Sequence, residues 1–169
     1  MGGIVATLIA HTRPDLVDRL VLVEAGVSPM SEADFVVLKA WFDRWPDSFV
    51  DEQEASEFFG SDARSTPAWV EGLAKTPAGF VRRFDPDAML QTMRALASKS
   101  RLTEWQSITA PTTLIRATDS MISDRDIADM RAGRHGVELV DIEDSGHDVH
   151  LDQPARVAAI LTRLMEGRK

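Results

Sequence analysis

Asp119 and His147 are the two side chains whose types and positions are best suited to chemistry. Asp119 follows the apolar run 112–116, and His147 follows the run Val137–Ile142; both runs are predicted strands bounded by turn residues. In parallel α/β sheets, ligands bind beyond the carboxyl ends of the strands. We therefore expect the acid and the histidine to converge at one edge of a sheet, within hydrogen-bonding distance of each other.

Other polar residues near Asp119 and His147 are weighed for the same chemical roles. His150 lies in the same loop as His147 and competes for its role, but the glycine that precedes His147 favours the latter. His11 and His135 are expected to be structural. Ser120 follows the acid in the same turn, so its position is not that of a nucleophile. Three further acids are expected to form a solvated rim: Asp144, Asp148 and Asp152.

Strands and helices alternate at the two ends of the chain. The strand-like runs are Leu20–Val23, 112–116 and Val137–Ile142, and the first two are continuous apolar runs, as in strands buried on both faces. Helices are predicted over residues 4–11, 124–134 and 153–166, the last with an apolar stripe of Val157, Ile160, Leu161 and Leu164. This alternation predicts an α/β fold with a mostly parallel sheet.

Residues 28–100 interrupt the alternation. Helical segments follow one another there, and we predict no strand between about residues 31 and 98. An all-helical insert of this kind is interpreted as a cap, or lid, over an active site, with residues 1–27 and 101–169 forming the core domain. Its aromatic side chains either form its own core or line an apolar pocket. They are Phe35, Trp41, Phe42, Trp45, Phe58, Phe59, Trp69, Phe80 and Phe84.

The start of the chain supplies a further motif. Gly2 and Gly3 lead into an apolar helical run, and the next strand ends at Glu24. Small residues are needed where a strand turns sharply into a helix. With the two strand-end motifs in this order, the chain resembles the α/β-hydrolase family from just after the nucleophile of the Gly-x-Ser-x-Gly elbow. The resemblance implies the C-terminal part of a doubly wound, mostly parallel α/β-hydrolase sheet with an all-helical lid insertion.

The same resemblance implies a role for each motif. His147 would take a proton from the nucleophile and later deliver it to the leaving group, while Asp119 would hold the imidazole in the required tautomer. The backbone N–H of Met1 would be one of two oxyanion-hole donors. Ala117 and Ser123 replace the family's glycine and proline at positions that would not touch the chemistry.

On this resemblance, the nucleophile would lie one position before Met1. The chain as given is therefore expected to be inactive alone. The strand Leu20–Val23 would also lack the neighbour that precedes the nucleophile, and an unpaired apolar strand invites pairing with another chain. The chain is then either a fragment or is completed by a partner, with self-association through this strand as one expected outcome.

Several functions are compatible with these residues. The leading hypothesis is an esterase-like hydrolase with a serine-type catalytic triad, acting on a small apolar ester, lactone or related carbonyl compound. An aspartate nucleophile would instead make a dehalogenase or epoxide hydrolase of the same fold. A cofactor-free haloperoxidase or a carbon–carbon hydrolase would use the same triad. A different class is a non-catalytic fragment or binding module, since fold alone does not settle function.

Amino-acid composition excludes several classes of partner and site. The 169 residues carry 27 acids, 19 bases and a net charge of −8, which disfavours nucleic acids and anionic membranes as partners. Cysteine is absent, which excludes disulfides and thiolate sites. The four histidines have no close pair of other likely ligands, so no structural metal is predicted, and no cofactor is expected. Apolar runs fall far short of the roughly 20 residues that span a bilayer. We expect a cytoplasmic protein.

Overall fold

The computed structural model describes residues 1–61 and 63–167. It divides into two compact units: Met1–Pro29 with Lys99–Lys169, here the sheet unit, and Met30–Ser98, here the inserted unit. The elements in chain order are α1 (Gly2–Thr12), β1 (Leu20–Val23), α2 (Glu32–Asp43), α3 (Glu52–Phe59), α4 (Thr66–Glu71), β2 (Ala74–Thr76), β3 (Gly79–Val81), α5 (Pro86–Ala97), α6 (Leu102–Gln106), β4 (Thr112–Ala117), α7 (Asp124–Ala132), β5 (Val137–Ile142), α8 (Val149–Asp152) and α9 (Pro154–Glu166).

The sheet unit is built on three parallel strands in the order β1-β4-β5. Leu22 pairs with Leu114, which pairs in turn with Leu139. These are the three strands that the sequence predicts, and their parallel pairing is as expected. Because the strands run in one direction, all of their carboxyl ends lie at a single edge of the sheet.

Apolar side chains pack on both faces of this sheet. On one face, Leu22 and Leu114 belong to a buried cluster with Trp105 and Met130, and the indole Nε1–H of Trp105 donates to the Met130 carbonyl oxygen at 2.8 Å. On the other face, Ile115 packs in a second cluster with residues of β5, α8 and α9. Neighbouring residues of a strand point to opposite faces, so a continuous apolar run supplies both cores.

Helix α1 approaches β1 closely at Gly3. A Cβ on Gly3 would collide with the Cβ of Ala25, whereas nothing lies within 4 Å of a Cβ on Gly2. The requirement for a small residue is therefore met by Gly3 in the structure and not by Gly2. This contact places the start of α1 beside the end of β1.

We expect Gly3→Ala to lower the free energy of unfolding by about 1–3 kcal/mol, because the added methyl group would overpack the contact with Ala25. Gly2→Ala is the matched control and should be neutral or stabilising by up to about 1 kcal/mol, since alanine favours the helix. Urea unfolding followed by tryptophan fluorescence measures both. Equal stability of the two variants would contradict the close packing at Gly3.

The inserted unit corrects one prediction, because it contains a β-hairpin. Strands β2 and β3 pair antiparallel, and Phe80 of β3 also forms a bridge with Phe49. Gly79 has a φ of +107°, and a Cβ there would collide with the Phe49 carbonyl oxygen. The expectation of no strand between residues 31 and 98 is therefore wrong. Strands of three residues are too short to show a periodic pattern, and the partner Phe49 is distant in sequence.

Three helices of the inserted unit begin at residues that favour a helix start. Ser31 accepts a hydrogen bond from the backbone N–H of Asp34, whose side chain accepts from the backbone of Ser31 in return, forming a capping box. Pro67 and Pro86 stand in the first turns of α4 and α5, where a missing N–H costs nothing.

Most aromatic side chains of the inserted unit pack on one another. Trp45 is 6% exposed, and its ring centroid lies 4.9 Å from that of Phe59, 5.1 Å from Trp41 and 5.5 Å from Phe84. The cluster supports the interpretation that these residues form the unit's own core. The indole Nε1–H of Trp45 is buried and has no hydrogen-bond partner among the described residues.

We expect Trp45→Ala to destabilise the protein by about 3–5 kcal/mol, because it would leave a large cavity in the aromatic cluster. Trp45→Phe should destabilise the protein clearly less, because it keeps an aromatic ring in the cluster and the indole N–H that it removes makes no hydrogen bond among the described residues. Thermal unfolding followed by circular dichroism compares the two. A Trp45→Ala variant as stable as the original chain would contradict the core interpretation.

Across the described residues, none of the helices combines the length and apolar character that a membrane span requires.

Candidate active site

The site is built from three loops that follow the three parallel strands. The loop after β1 begins with Glu24, the loop after β4 holds Asp119 and Ser120, and the loop after β5 holds His147. Because the strands are parallel, the loops share one edge of the sheet. The structure brings Glu24, Ser120 and His147 together there.

Glu24 is a buried carboxylate at the centre of these loops. Its side chain is 1% exposed. Oε1 accepts hydrogen bonds from the backbone N–H of Ala117 at 2.7 Å and from the Ser120 hydroxyl at 2.9 Å, and Oε2 accepts from the backbone N–H of Met121 at 3.2 Å. A buried charge is tolerated when donors satisfy it, so Glu24 fixes the course of the loop after β4.

The backbone of Glu24 is itself in an uncommon conformation. Its φ is +47°, in the left-handed region that residues other than glycine seldom adopt. Its N–H donates to the carbonyl oxygen of Ile115 at 2.9 Å, which continues the pairing of β1 with β4. Strained backbone of this kind persists where the surroundings over-determine it, and it clusters at functional sites.

His147 is the histidine that faces this carboxylate. Its Nδ1 lies 3.9 Å from Oε2 of Glu24, and its side chain is 58% exposed. The separation is that of an ion pair and exceeds a hydrogen-bond length. The imidazole therefore has one nitrogen toward a buried acid, and much of its surface is open to solvent.

Asp119 lies in the adjacent loop, which follows β4. Among the described residues, no hydrogen bond or ion pair joins Asp119 to His147, so the expected hydrogen bond is absent from this structure. The backbone N–H of Asp119 donates to the carbonyl oxygen of Ser145 at 3.1 Å, while the residue itself is exposed. The role of Asp119 as the acid remains a prediction.

Sequence reasoning missed Glu24, although a signal for it was present. Glu24 directly follows the apolar run Leu20–Val23, so it stands at the carboxyl end of a predicted parallel strand. The rule that selected Asp119 and His147 applies to it equally. Both acids satisfy the pattern, and only the folded loops distinguish them.

The loops after β4 and β5 are joined by backbone hydrogen bonds. The N–H of Thr118 donates to the Ile142 carbonyl oxygen at 3.1 Å, one residue before the bond from Asp119 to Ser145. The Ser145 hydroxyl also donates to Ile142, at 2.7 Å. These bonds extend the pairing of β4 and β5 into the loops, and they hold the segment that carries His147 beside the segment that follows Ala117.

Arg116 reinforces the same edge of the sheet. Its Nε donates to Asp141, the residue opposite it on β5, at 2.7 Å, and its Nη1 donates to Asp124 at the start of α7 at 2.6 Å. The hydrogen bond to Asp141 and then that to Asp124 raise the pKa of Arg116 above its usual range. The guanidinium thus stays charged and connects two strands and a helix just before the site.

One acid of the expected solvated rim has a structural role instead. Asp152 is half-buried, and its Oδ2 accepts the backbone N–H of Gly146 at 2.8 Å. Gln153 also reaches back to this loop, donating from Nε2 to the Asp144 carbonyl oxygen at 3.0 Å. The helix that follows therefore holds the loop around His147, which the local sequence did not indicate.

The other histidines lie elsewhere in the sheet unit. His11 Nδ1 lies 2.5 Å from the Ser107 hydroxyl oxygen, which agrees with a structural role. His135 is exposed in the turn before β5, and His150 is exposed on α8. Within the described part of the chain, no cluster of three histidine or carboxylate side chains is arranged to hold a metal ion.

Met1, the predicted oxyanion-hole donor, caps helix α1. Its carbonyl oxygen accepts the N–H of Ile4 at 3.0 Å. The packing of Gly3 on Ala25 places this helix start next to the residue after Glu24. The N–H role of Met1 remains a prediction, but its helix begins at the edge of the sheet that carries the site.

The fold and these loops define an α/β protein with a histidine and a buried carboxylate at the carboxyl edge of a parallel sheet. A model of the alpha/beta hydrolase family matches residues 1–160, and the chain belongs to this family. The predicted family and the predicted α/β-hydrolase fold with a parallel sheet are thereby confirmed. No curated protein sequence matches the chain significantly.

Solved structures agree on the fold. An E-2-(acetamidomethylene)succinate hydrolase has a TM-score of 0.80 at 20% identity, with 95% of this chain and 62% of that chain covered. The thioesterase domain from the curacin biosynthetic pathway has a TM-score of 0.72 at 20% identity, covering 95% and 63%. The enol-lactonase from Burkholderia xenovorans LB400 has a TM-score of 0.71 at 14% identity, with 98% of this chain and 63% of that chain covered. The chain thus spans less than two thirds of the length of these structures.

We expect Asp152→Ala to lower the free energy of unfolding by about 1–2 kcal/mol, because the partly buried backbone N–H of Gly146 would lose its hydrogen-bond acceptor. Asp152→Asn should cost less, since the amide oxygen can still accept that bond. Hydrogen exchange of the Gly146 amide provides the local measurement, and it should accelerate most in the alanine variant. Unchanged exchange in Asp152→Ala would exclude the anchoring role.

Proposed function

We propose that this chain is the C-terminal part of a serine-type hydrolase that cleaves a small apolar ester, lactone or related carbonyl compound. The observation that carries the proposal is His147, whose Nδ1 faces the buried carboxylate of Glu24 at the edge of the sheet where α1 begins. A histidine supported by a buried acid is the arrangement that activates a hydroxyl nucleophile.

The proposed mechanism assigns the two nitrogens of His147 different tasks. Nε2 accepts the proton of the nucleophile as its oxygen attacks the carbonyl carbon, and it then delivers that proton to the leaving group. The orientation of Nδ1 toward Glu24 supports this assignment, because it leaves Nε2 to meet the nucleophile. The family resemblance names Asp119, in the neighbouring loop, as the acid that orients the ring.

The nucleophile and one oxyanion donor are proposed at the start of α1. The nucleophile would precede Met1, and the backbone N–H of Met1 would stabilise the negative charge that develops on the carbonyl oxygen. The amino end of a helix favours negative charge. The contact of Gly3 with Ala25 supports this placement, because it sets the helix start beside the end of β1.

Acyl hydrolysis is favoured by the described activities of the similar structures. They are a hydrolase, a thioesterase domain and an enol-lactonase, and a carbonyl attacked by a hydroxyl is the shared chemistry of thioester and lactone cleavage. The interpretation of the inserted unit as a lid is kept as part of this proposal. No step of this proposal uses a metal or another cofactor.

We expect the 169-residue chain alone to show no hydrolysis of short-chain p-nitrophenyl esters above that of its His147→Ala variant, because the proposed nucleophile precedes Met1. A form extended before Met1 by the segment that carries Gly-x-Ser should gain activity that His147→Ala abolishes. Spectrophotometric release of p-nitrophenol measures both. His147-dependent turnover by the short chain would show that the nucleophile is placed wrongly.

The extended form also separates the alternatives. A Gly-x-Asp segment before Met1, with turnover of haloalkanes or epoxides and none of esters, would replace the esterase proposal by the aspartate-nucleophile one.

The short chain is further expected to self-associate through β1. Within the sheet of the described residues, β1 pairs with β4 on one side only. Light scattering after size-exclusion chromatography measures this.

A further inference from the structure

We propose that Glu24, and not Asp119, is the carboxylate that orients His147 and stabilises its protonated ring during the reaction. The inference rests on the proposed function, since it identifies a residue of the same site. The two acids at the carboxyl edge of the sheet, Glu24 and Asp119, differ in burial, in hydrogen bonding and in their interaction with the imidazole of His147.

Geometry favours Glu24. Its Oε2 lies 3.9 Å from Nδ1 of His147, whereas no hydrogen bond or ion pair between Asp119 and His147 exists among residues 1–61 and 63–167. Hydrogen bonds of catalytic groups are often long in structures without ligand and tighten when the substrate is bound. A shift of the ring by about 1 Å toward Glu24 would convert this separation into a hydrogen bond.

Burial favours Glu24 as well. Its side chain is 1% exposed, while Asp119 is exposed to solvent. The attraction between two charges grows as the effective dielectric constant falls, so a carboxylate shielded from water stabilises an imidazolium more strongly than one in solvent. The charge of an exposed carboxylate is screened more strongly by water and ions.

The donors around Glu24 hold its carboxylate in one orientation. The N–H of Ala117 and the Ser120 hydroxyl bind Oε1 at 2.7 and 2.9 Å, and the N–H of Met121 binds Oε2 at 3.2 Å. Ser120 is itself fixed, because its oxygen accepts the N–H of Ile122 at 2.9 Å. A carboxylate locked by neighbouring hydrogen bonds needs no reorganisation when the ring becomes charged, which is the basis of electrostatic preorganisation.

Asp119 has a separate task in this arrangement. Its backbone N–H donates to the Ser145 carbonyl oxygen at 3.1 Å, close to the loop that holds His147. Asp119 thus joins two loops through its main chain, a bond that any residue except proline could supply. The carboxylate of Asp119 is not required for it.

The proton balance of the step is simple. As the hydroxyl oxygen of the nucleophile bonds to the carbonyl carbon, its proton moves to Nε2 of His147, and the ring becomes an imidazolium that keeps its proton on Nδ1. Glu24 remains ionised throughout and accepts a hydrogen bond from Nδ1–H. The proton on Nε2 then passes to the leaving oxygen as its bond to carbon breaks.

The first experiment reads the ring directly and needs no turnover. The 169-residue chain, labelled with ¹⁵N at its four histidines, is studied by NMR at a pH where the rings are neutral. We expect the His147 spectrum to report a proton held on Nδ1, and Glu24→Gln to change its tautomer ratio. Asp119→Asn and Glu143→Gln, an exposed carboxylate just after β5, are the matched substitutions and should change it much less.

The second experiment uses the extended form that carries the nucleophile. We expect Glu24→Gln to lower kcat for a p-nitrophenyl ester by roughly 10²–10⁴-fold with little change in KM, as loss of the orienting acid does in other triads. Asp119→Asn should lower kcat at most a few-fold, and Glu143→Gln should leave it unchanged. Circular dichroism checks that each variant is folded.

The outcomes separate the two proposals. A large loss of kcat or a clearly altered tautomer ratio in Asp119→Asn, compared with Glu143→Gln, would overturn the assignment to Glu24. This comparison does not require Glu24→Gln to fold. If the extended form shows no His147-dependent turnover at all, the proposed function fails. The tautomer of His147 then still decides whether Glu24 orients the ring.

Discussion

A carboxylate almost fully removed from water must be surrounded by hydrogen-bond donors, and the site of this protein is arranged around that requirement at Glu24. Its oxygens accept hydrogen bonds from Ala117, the last residue of β4, and from Ser120 and Met121 in the loop that follows. The cost of leaving a buried charge unsatisfied is high, so the loop has little freedom to take another course. The positions of Asp119 and, through Ser145, of the loop that carries His147 follow from it.

The parallel sheet is the second constraint, because it decides which loops can meet. Three strands running in one direction place all their carboxyl ends together, and two apolar cores hold the strands in register from both faces. Arg116 ties β4 to β5 and to the start of α7 immediately before the site. The loops can therefore differ in sequence and conformation while their anchor points stay fixed, as is usual for functional loops on a rigid scaffold.

The inserted unit is stabilised differently from the sheet unit. Its stability comes from an aromatic cluster centred on Trp45 and from helices with regular caps, supplemented by a hairpin that depends on Gly79. The helices could be predicted, because Ser31, Pro67 and Pro86 are local start signals. The hairpin could not, since its strands are three residues long and Phe80 pairs with Phe49 across a stretch that includes two helices.

The sequence by itself determined the strands Leu20–Val23 and Val137–Ile142, the helices that flank them, the family and the edge of the sheet where the chemistry would lie. These depend on local periodicity and on the parallel direction of the strands, both of which can be read from neighbouring residues. Only the tertiary structure decided which carboxylate faces His147. That choice depends on the backbone of Glu24, with its φ of +47°, and on donors 93 to 97 residues further along the chain. Such distances are set by how the loops fold against one another, and no local pattern encodes them.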